Sequence, residues 1–339
     1  MPGKIEHVVI IVKENHTFDN YFGTFPGANS VALPPAQNPP PVDPDHRHQA
    51  WMARAGDAAH KVQYGQVELP AYYACAGQYT LCDRYFSEVA GPSTPNHLML
   101  ICADAPLINN PAHHYRPQPA DAFHLASLPM ALERQGFSWG NYGSYAFHYI
   151  AELASHQGNH TRDLFANHAW AGTLPSVSWV YADGRPSLTE HPTQNITEGM
   201  QWTVDQVDAI VQGGLWERTA IFVTWDDWGG WYDHVDPPVV EGWDSAHAQR
   251  PADAYPEYQG DPFRYGSRVP CLVLSPYAKP AHISHQLNSH VSIVKFCADT
   301  FGLAPLTDRD RLSNGMSDCF DLNQAPLPVP HWGGPGGGA

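Results

Sequence analysis

Two pairs of oxygen-bearing side chains directly follow apolar, β-branched stretches of the sequence. The stretches 5–12 and 221–223 are typical of buried strands, and open α/β sheets bind ligands at the carboxyl ends of their strands. Adjacent acids stay ionised together when a cation lies between them. Carboxylate and amide oxygens suit hard divalent cations, so we expect a metal site at this edge. The four donors are Glu14, Asn15, Asp226 and Asp227.

Two adjacent hydroxyls, Ser93 and Thr94, stand in the segment Gly-Pro-Ser-Thr-Pro-Asn. Pro95 suits the first turn of a helix, so the local pattern favours Ser93 or Thr94 as a helix cap. The alternative is a nucleophile at the start of the helix, where free backbone N–H groups attract a phosphoryl group. The local sequence leaves both interpretations open and favours the cap.

Two histidines lie where they are able to contact a bound ligand. His46 follows the proline-rich stretch 33–45, and His191 comes after a predicted strand at 176–180. Imidazole groups donate hydrogen bonds to phosphate oxygens and exchange protons near neutral pH. A proline-rich loop carrying histidine is often an ordinary surface loop, but its stiffness is also suited to holding His46 over a site.

The remaining elements complete one catalytic domain over residues 1–332. We expect an irregular, aromatic-rich region at 108–168 that covers the site. The glycine-rich tail 333–339 is expected to be flexible. Further elements are predicted as helices at 69–76, 196–211 (capped by Thr197) and 290–296, and as a strand at 269–275.

Composition narrows the class of protein. The chain has 339 residues, 43% of them apolar, and a net charge of −16, which argues against a nucleic-acid-binding surface. Its six cysteines form no CxxC pair, which excludes a zinc ribbon but leaves buried thiols and disulfides open. The sequence shows neither a membrane-spanning stretch nor a signal peptide. We therefore expect a cytoplasmic protein unless a leader has been removed; the oligomeric state stays open.

Taken in their order along the chain, the motifs resemble those of the bacterial phosphoesterase family that contains non-specific phospholipases C and related acid phosphatases. Each motif alone is weakly specific, but their shared order spans nearly the whole chain. The matching segments are 5–9, 14–23, 45–46, 82–86, 91–96, 174–179, 190–192, 224–227, 232–235, 268–270 and 290–293.

The resemblance implies a three-layer α/β sandwich with a mostly parallel sheet, as in alkaline phosphatase. It also implies hydrolysis of phosphate monoesters or of phosphodiesters such as phospholipids, through a covalent phosphoseryl intermediate and with one divalent ion (Ca, Mg, Mn or Zn). The implied roles are Ser93 as nucleophile, His46 and His191 as catalytic histidines, Asn96 and His234 as substrate-binding residues, and Glu14, Asn15, Asp226 and Asp227 as metal ligands. Asp233 and His234 belong to the same signature, and for both of them the alternative is a supporting role behind the metal ligands.

Two residues depart from the family pattern. His97 stands where the family usually has arginine, which puts a substrate contact from that position in doubt. Asp227 stands where many phospholipases have glutamate, which favours the phosphatase branch. Two alternatives remain. The first is a sulfatase or phosphomutase of the same fold, and the missing Cys/Ser-x-Pro-x-Arg motif argues against the sulfatase. The second is a non-catalytic metal-binding protein, which would not need Ser93, His46 and His191.

Overall fold

The structure is a computed structural model built around one large β-sheet. All but the first residue of the expected tail at 333–339 lies outside its described residues. No helix in the described part of the chain is long and apolar enough to cross a membrane. The described residues are 3–54, 60–118, 122–182, 188–242 and 262–333.

Within the described residues, eight strands form the central sheet in the order β11-β2-β10-β7-β1-β6-β4-β5. Only β10 runs antiparallel to its neighbours, so the expectation of a mostly parallel sheet is confirmed. Two smaller pairs are β3 with β12 and β8 with β9. The strands are β1 His7–Lys13, β2 Thr80–Cys82, β3 Tyr85–Phe86, β4 Trp139–Tyr142, β5 Asn159–His160, β6 Val177–Tyr181, β7 Thr219–Trp225, β8 Val239–Gly242, β9 Pro262–Arg264, β10 Cys271–Leu274, β11 His282–Ser284 and β12 Asn288–Ser289.

The helices pack into two groups, which form the outer layers of the predicted three-layer sandwich. Helix α7 contacts both α3 and α6, and α4, α5, α8 and α9 form the second group. The helices are α1 Phe18–Phe22, α2 His48–Ala53, α3 Pro70–Gln78, α4 Ser93–Cys102, α5 Leu128–Arg134, α6 Leu164–Trp170, α7 Ile196–Gln212, α8 His290–Phe301 and α9 Asp308–Leu312.

Strand β1 lies at the centre of the sheet, between β6 and β7. Its residues 8–12 are buried, which explains their continuous apolar run, because strands covered on both faces have no polar side. The register pairs Lys13 with Trp225, and the Asp226 amide donates to the Lys13 carbonyl at 2.9 Å. The next residues, Glu14 and Asp226, therefore leave the sheet side by side.

The region 108–168 is more regular than predicted. It contains α5 and α6, and strands β4 and β5 extend the central sheet. Strand β4 reads Trp-Gly-Asn-Tyr and lacks the β-branched residues that reveal strands in a sequence. Its parallel pairing with β6 makes this segment a strand although its local strand propensity is weak.

In the structure, the caps of α4 and α7 are residues other than those that the sequence predicts. Asn195, not Thr197, caps α7, because its side chain accepts from the Thr197 and Glu198 amides. Pro92 occupies the cap position of α4, so Ser93 is the first residue inside that helix. Ser93 and Thr94 are therefore free to use their hydroxyls elsewhere.

A buried arginine connects α1 to the loop after β7. The Arg268 guanidinium is fully buried and contacts Asp19 at 3.0 Å and Asp233 at 3.1 Å. It also donates to the backbone carbonyls of Asn29 and Asp83. These bonds satisfy a charge that would otherwise be costly to bury.

We predict that Arg268→Met lowers the free energy of unfolding by about 3–5 kcal/mol, because two carboxylates lose their buried counter-charge. Arg47→Met is the control, since Arg47 pairs with Asp45 at the surface and should cost at most about 1 kcal/mol. Urea denaturation of both variants measures the difference. Equal losses would show that burial does not strengthen the Arg268 network.

Candidate active site

The oxygen donors predicted from the sequence converge at the carboxyl ends of β1 and β7. One oxygen each of Glu14 and Asp226, with a ring nitrogen of His97, lie within 4.8 Å of one another. Asp226 Oδ1 accepts from the amides of Asn15 at 3.0 Å and Asp227 at 2.7 Å. The chain then turns through Gly229 at φ 59°, where a Cβ would lie 2.2 Å from the Asn15 carbonyl oxygen. Only glycine permits this close approach.

Three buried polar atoms in this region have no hydrogen-bond partner among the described residues: Asn15 Oδ1, Asp226 Oδ2 and His97 Nε2. Buried polar groups without partners are rare in native proteins. Carboxylate, amide and imidazole groups are all metal ligands, and each of these atoms has a lone pair to offer. The residues present therefore fit a divalent cation.

The buried acids repel one another's charge. Burial raises the pKa of both Glu14 and Asp227, and the charge of Asp226 adds to the rise. Burial also opposes ionisation of Asp226, but His97, Ser93 and the Asn15 amide lower the pKa of Asp226 overall. A bound cation would favour the charged form of all three acids.

Of the two adjacent hydroxyls, Ser93 is the one that faces the acids. Its Oγ donates to Asp227 Oδ2 at 3.0 Å. The Thr94 hydroxyl instead lies 3.2 Å from the Tyr145 hydroxyl. Both side chains are buried, so the first turn of α4 separates a hydroxyl next to the acids from one that packs into the protein.

His46 and His191 form a pair whose ring centroids are 5.8 Å apart. In each ring, Nδ1 bonds a backbone carbonyl, that of Pro44 for His46 and that of Pro192 for His191. This bond keeps a proton on Nδ1 and leaves Nε2 for other partners. His46 Nε2 lies 3.3 Å from Asn15 Nδ2, which ties the pair to the donors at the end of β1.

His191 carries the more favourable environment for a positive charge. Burial works against its charged form, but the nearby Glu14 and Asp43 carboxylates and the Pro192 carbonyl raise the pKa of His191. His114 is different, because burial and the neighbouring histidines lower its pKa to about 4. His191 is therefore a better proton donor than His114 near neutral pH.

A model of the Phosphoesterase family matches residues 5–42 and 38–304 of this chain. The chain belongs to the Phosphoesterase family. It is a phosphoric ester hydrolase, as predicted from the sequence.

Relatives of this phosphoesterase have distant sequences but cover most of the chain. Phospholipase C B of Mycobacterium tuberculosis is 27% identical over 418 residues, which cover 96% of this chain and 79% of the relative. The non-hemolytic phospholipase C of Pseudomonas aeruginosa is 24% identical and covers 88% of this chain and 54% of its own length. Murine ectonucleotide pyrophosphatase/phosphodiesterase 5 shares the fold, with a TM-score of 0.54, 10% identity, and coverage of 93% of this chain and 100% of that chain.

Asn96, predicted to bind substrate, has another role in the phosphoesterase. It is fully buried. Its Oδ1 accepts from the amides of Glu88 and Val89 at 2.9 and 2.8 Å, and its Nδ2 donates to the carbonyls of Val89, Gly91 and Pro92. With its polar atoms already engaged, Asn96 shapes the turn that precedes Ser93 and does not present a group to substrate.

His234, the other predicted substrate contact, belongs to the Arg268 network. Its Nδ1 lies 2.6 Å from Asp19 Oδ2, and its Nε2 lies 3.1 Å from Asn29 Oδ1. Both ring nitrogens are therefore engaged in holding α1 against the loop after β7. The motif places Asp233 and His234 close in sequence to Asp227, but the intervening turn carries them to the Arg268 network.

Two positioning residues were not identified from the sequence. The Tyr181 hydroxyl donates to Glu14 Oε1, and the His290 ring donates from Nε2 to the Asp226 carbonyl at 2.6 Å. Tyr181 ends the strand next to β1, a position at which a polar side chain signals proximity to the site. His290 begins α8, and nothing in the sequence near it indicates that the helix points at Asp226.

We predict that Asn96→Ala destabilises the fold by about 1–3 kcal/mol, because the Glu88 and Val89 amides lose their acceptor. The exposed Asn323 provides the control, since Asn323→Ala should change the free energy of unfolding by less than about 0.5 kcal/mol. Urea denaturation gives both values, and steady-state kinetics is measured alongside. An Asn96→Ala protein of normal stability with a raised KM would identify Asn96 as a substrate contact after all.

Proposed function

We propose that this chain hydrolyses phosphate esters by transferring the phosphoryl group to Ser93 and then to water, with one divalent ion bound among the acids. The hydrogen bond of 3.0 Å from Ser93 Oγ to Asp227 is the observation that carries the proposal. This bond joins a buried hydroxyl to an acidic cluster that has unpaired polar atoms. A serine with a purely structural role would not need such a contact.

The ion would be held by the predicted donors Glu14, Asn15, Asp226 and Asp227. Supporting this are the proximity of Glu14 and Asp226 and the unpaired oxygens of Asn15 and Asp226. When bound, such an ion lowers the pKa of a nearby hydroxyl and neutralises charge on the transferred group. Asn15-His16-Thr17 is also a glycosylation sequon, but Asn15 is fully buried, so we treat the sequon as chance.

Ser93 is the nucleophile in this mechanism. As the bond from Ser93 Oγ to phosphorus forms and the bond to the leaving oxygen breaks, the hydroxyl proton passes to Asp227 Oδ2. Asp227 Oδ2 is positioned to accept this proton because Ser93 Oγ already donates to it.

His191 acts on the leaving group, and His46 positions a predicted metal ligand. His191, with its raised pKa, donates a proton to the departing alcohol and can later accept one from the attacking water. His46 is held in the tautomer whose Nε2 accepts a hydrogen bond, and this atom accepts from the side-chain amide of Asn15 and keeps it in place. Their shared position next to the donors, on loops outside the sheet, supports these roles.

The substrate class follows from the named relatives. Proteins called phospholipase C in Mycobacterium tuberculosis and Pseudomonas aeruginosa align with most of this chain, so we propose phospholipids or related phosphate esters as substrates. The preference for monoesters or diesters is measured with the substrate panel described next.

A substrate panel tests the proposal. We predict hydrolysis of at least one of p-nitrophenyl phosphate, bis(p-nitrophenyl) phosphate and phosphatidylcholine, and a loss of activity of about 10²-fold or more on chelation, because charge neutralisation by the ion contributes several kcal/mol. Activity should return when a divalent ion is added back. Full activity in excess chelator would contradict metal dependence, and inactivity on every ester would contradict the proposed reaction.

The nucleophile is tested by two neighbouring substitutions. We predict that Ser93→Ala lowers turnover by about 10⁴-fold or more and abolishes a phosphoenzyme trapped at low pH with labelled substrate. Thr94→Ala should keep turnover within a few-fold and cost about 1 kcal/mol of stability through its lost bond to Tyr145. Peptide mapping locates the label. A label on Thr94, or normal turnover by Ser93→Ala, would contradict the assignment.

A further inference from the structure

We propose that His97 binds the metal through Nε2 and gives the site a preference for Zn²⁺ over Mg²⁺ and Ca²⁺. This inference rests on the proposed metal centre, and it adds a nitrogen ligand to a set predicted to contain only oxygen. Imidazole is a preferred ligand of Zn²⁺, whereas Mg²⁺ and Ca²⁺ prefer oxygen alone. One residue would thus change which ion the site selects.

The helical spacing of Ser93 and His97 directs both side chains to the same place. They are four residues apart at the start of α4, and residues at this spacing lie above one another on one helix face. Ser93 Oγ reaches Asp227, and His97 Nε2 lies 3.5 Å from Asp226 Oδ2. The helix therefore presents a nucleophile and a ligand to two adjacent acids.

The distances match those between ligands of one ion. Two ligands at about 2.0–2.1 Å from a tetrahedral zinc lie about 3.4 Å apart, close to the 3.5 Å that separates His97 Nε2 from Asp226 Oδ2. An oxygen of Glu14 lies within 4.8 Å of a ring nitrogen of His97 and of a carboxylate oxygen of Asp226. Small side-chain movements would bring all three around a single ion.

A direct ion pair between His97 and Asp226 explains these observations less well. A charge-assisted hydrogen bond of this type measures about 2.7–2.9 Å, whereas Nε2 and Oδ2 are farther apart and neither atom has a hydrogen-bond partner among the described residues. Both side chains are almost completely buried. Two buried atoms in a long ion-pair contact, each without a hydrogen bond to a described residue, are what a shared cation would satisfy.

Aromatic neighbours hold the His97 ring in this orientation. Its centroid lies 5.3 Å from the Tyr145 ring and 5.2 Å from the Tyr181 ring. The Tyr181 hydroxyl also donates to Glu14, so one residue orients two of the three proposed ligands. Such outer contacts are typical of metal sites, where they fix the ligands before the ion binds.

The test measures metal binding directly, so it does not depend on turnover. The full-length protein is freed of metal by chelation and titrated with Zn²⁺ and with Mg²⁺ in a calorimeter. We expect the wild-type protein to bind Zn²⁺ at least about 100-fold more tightly than Mg²⁺. His97→Gln should lose at least about 100-fold in Zn²⁺ affinity, more than the 10- to 100-fold typical of substitutions around a metal's ligands, while Mg²⁺ affinity changes by less than about 5-fold. His148→Gln, which removes an exposed histidine, is the matched control and should change neither value.

A spectroscopic measurement keeps the proposal falsifiable if His97→Gln folds poorly. Cu²⁺-loaded wild-type protein should show magnetic coupling to an imidazole nitrogen by pulsed EPR, and His97→Gly should recover Zn²⁺ affinity when free imidazole is added. Unchanged Zn²⁺ affinity in a folded His97→Gln protein, or wild-type protein without nitrogen coupling, would overturn the His97 assignment but leave a metal-dependent phosphoesterase intact. Wild-type protein that binds neither ion would overturn both this inference and the proposed metal centre.

Discussion

The structure depends on burying three carboxylates together at the carboxyl ends of two central strands, β1 and β7. Glu14, Asp226 and Asp227 are all almost completely inaccessible to solvent, and like charges at this separation repel strongly in a low-dielectric interior. Backbone amides and the Tyr181 hydroxyl offset part of the cost. A cation bound among these acids would offset the rest of the cost, which is the physical reason for proposing a metal centre at this place in the fold.

A lysine lies next to these acids but its charge is used elsewhere. Lys13 Nζ is 3.3 Å from Glu190, whose carboxylate also accepts from Tyr21, Tyr72 and Trp225. Burial lowers the pKa of Lys13, and Glu190 counteracts the shift. This network fixes the backbone just before His191 and makes Glu190, more than Glu14, the charge partner of Lys13.

The sequence predicts the parts of the site that are built from strands, because a buried strand is an apolar run and its end is where polar residues resume. Glu14 and Asp226 were found in this way, and their side-by-side position follows from the parallel pairing of β1 with β7. The roles of Asn96 and His97 were not predictable. They depend on which face α4 turns toward the sheet, and that is decided by contacts with residues far away in the chain. Strands β4 and β5 escaped detection because long-range pairing, and not local propensity, makes them strands.

The division between sheet and loops also bears on how such a protein acquires specificity. The acids and Ser93 are fixed by strand ends and by the first turn of α4, where a displacement would break the bonds of Asp226 and Asp227. His46 and His191 are held by carbonyls of their own loops, those of Pro44 and Pro192. Loops tolerate changes in sequence and length better than strand ends do. We therefore expect substrate choice to depend more on the loops than on the acids and Ser93, which the sheet and α4 hold in place.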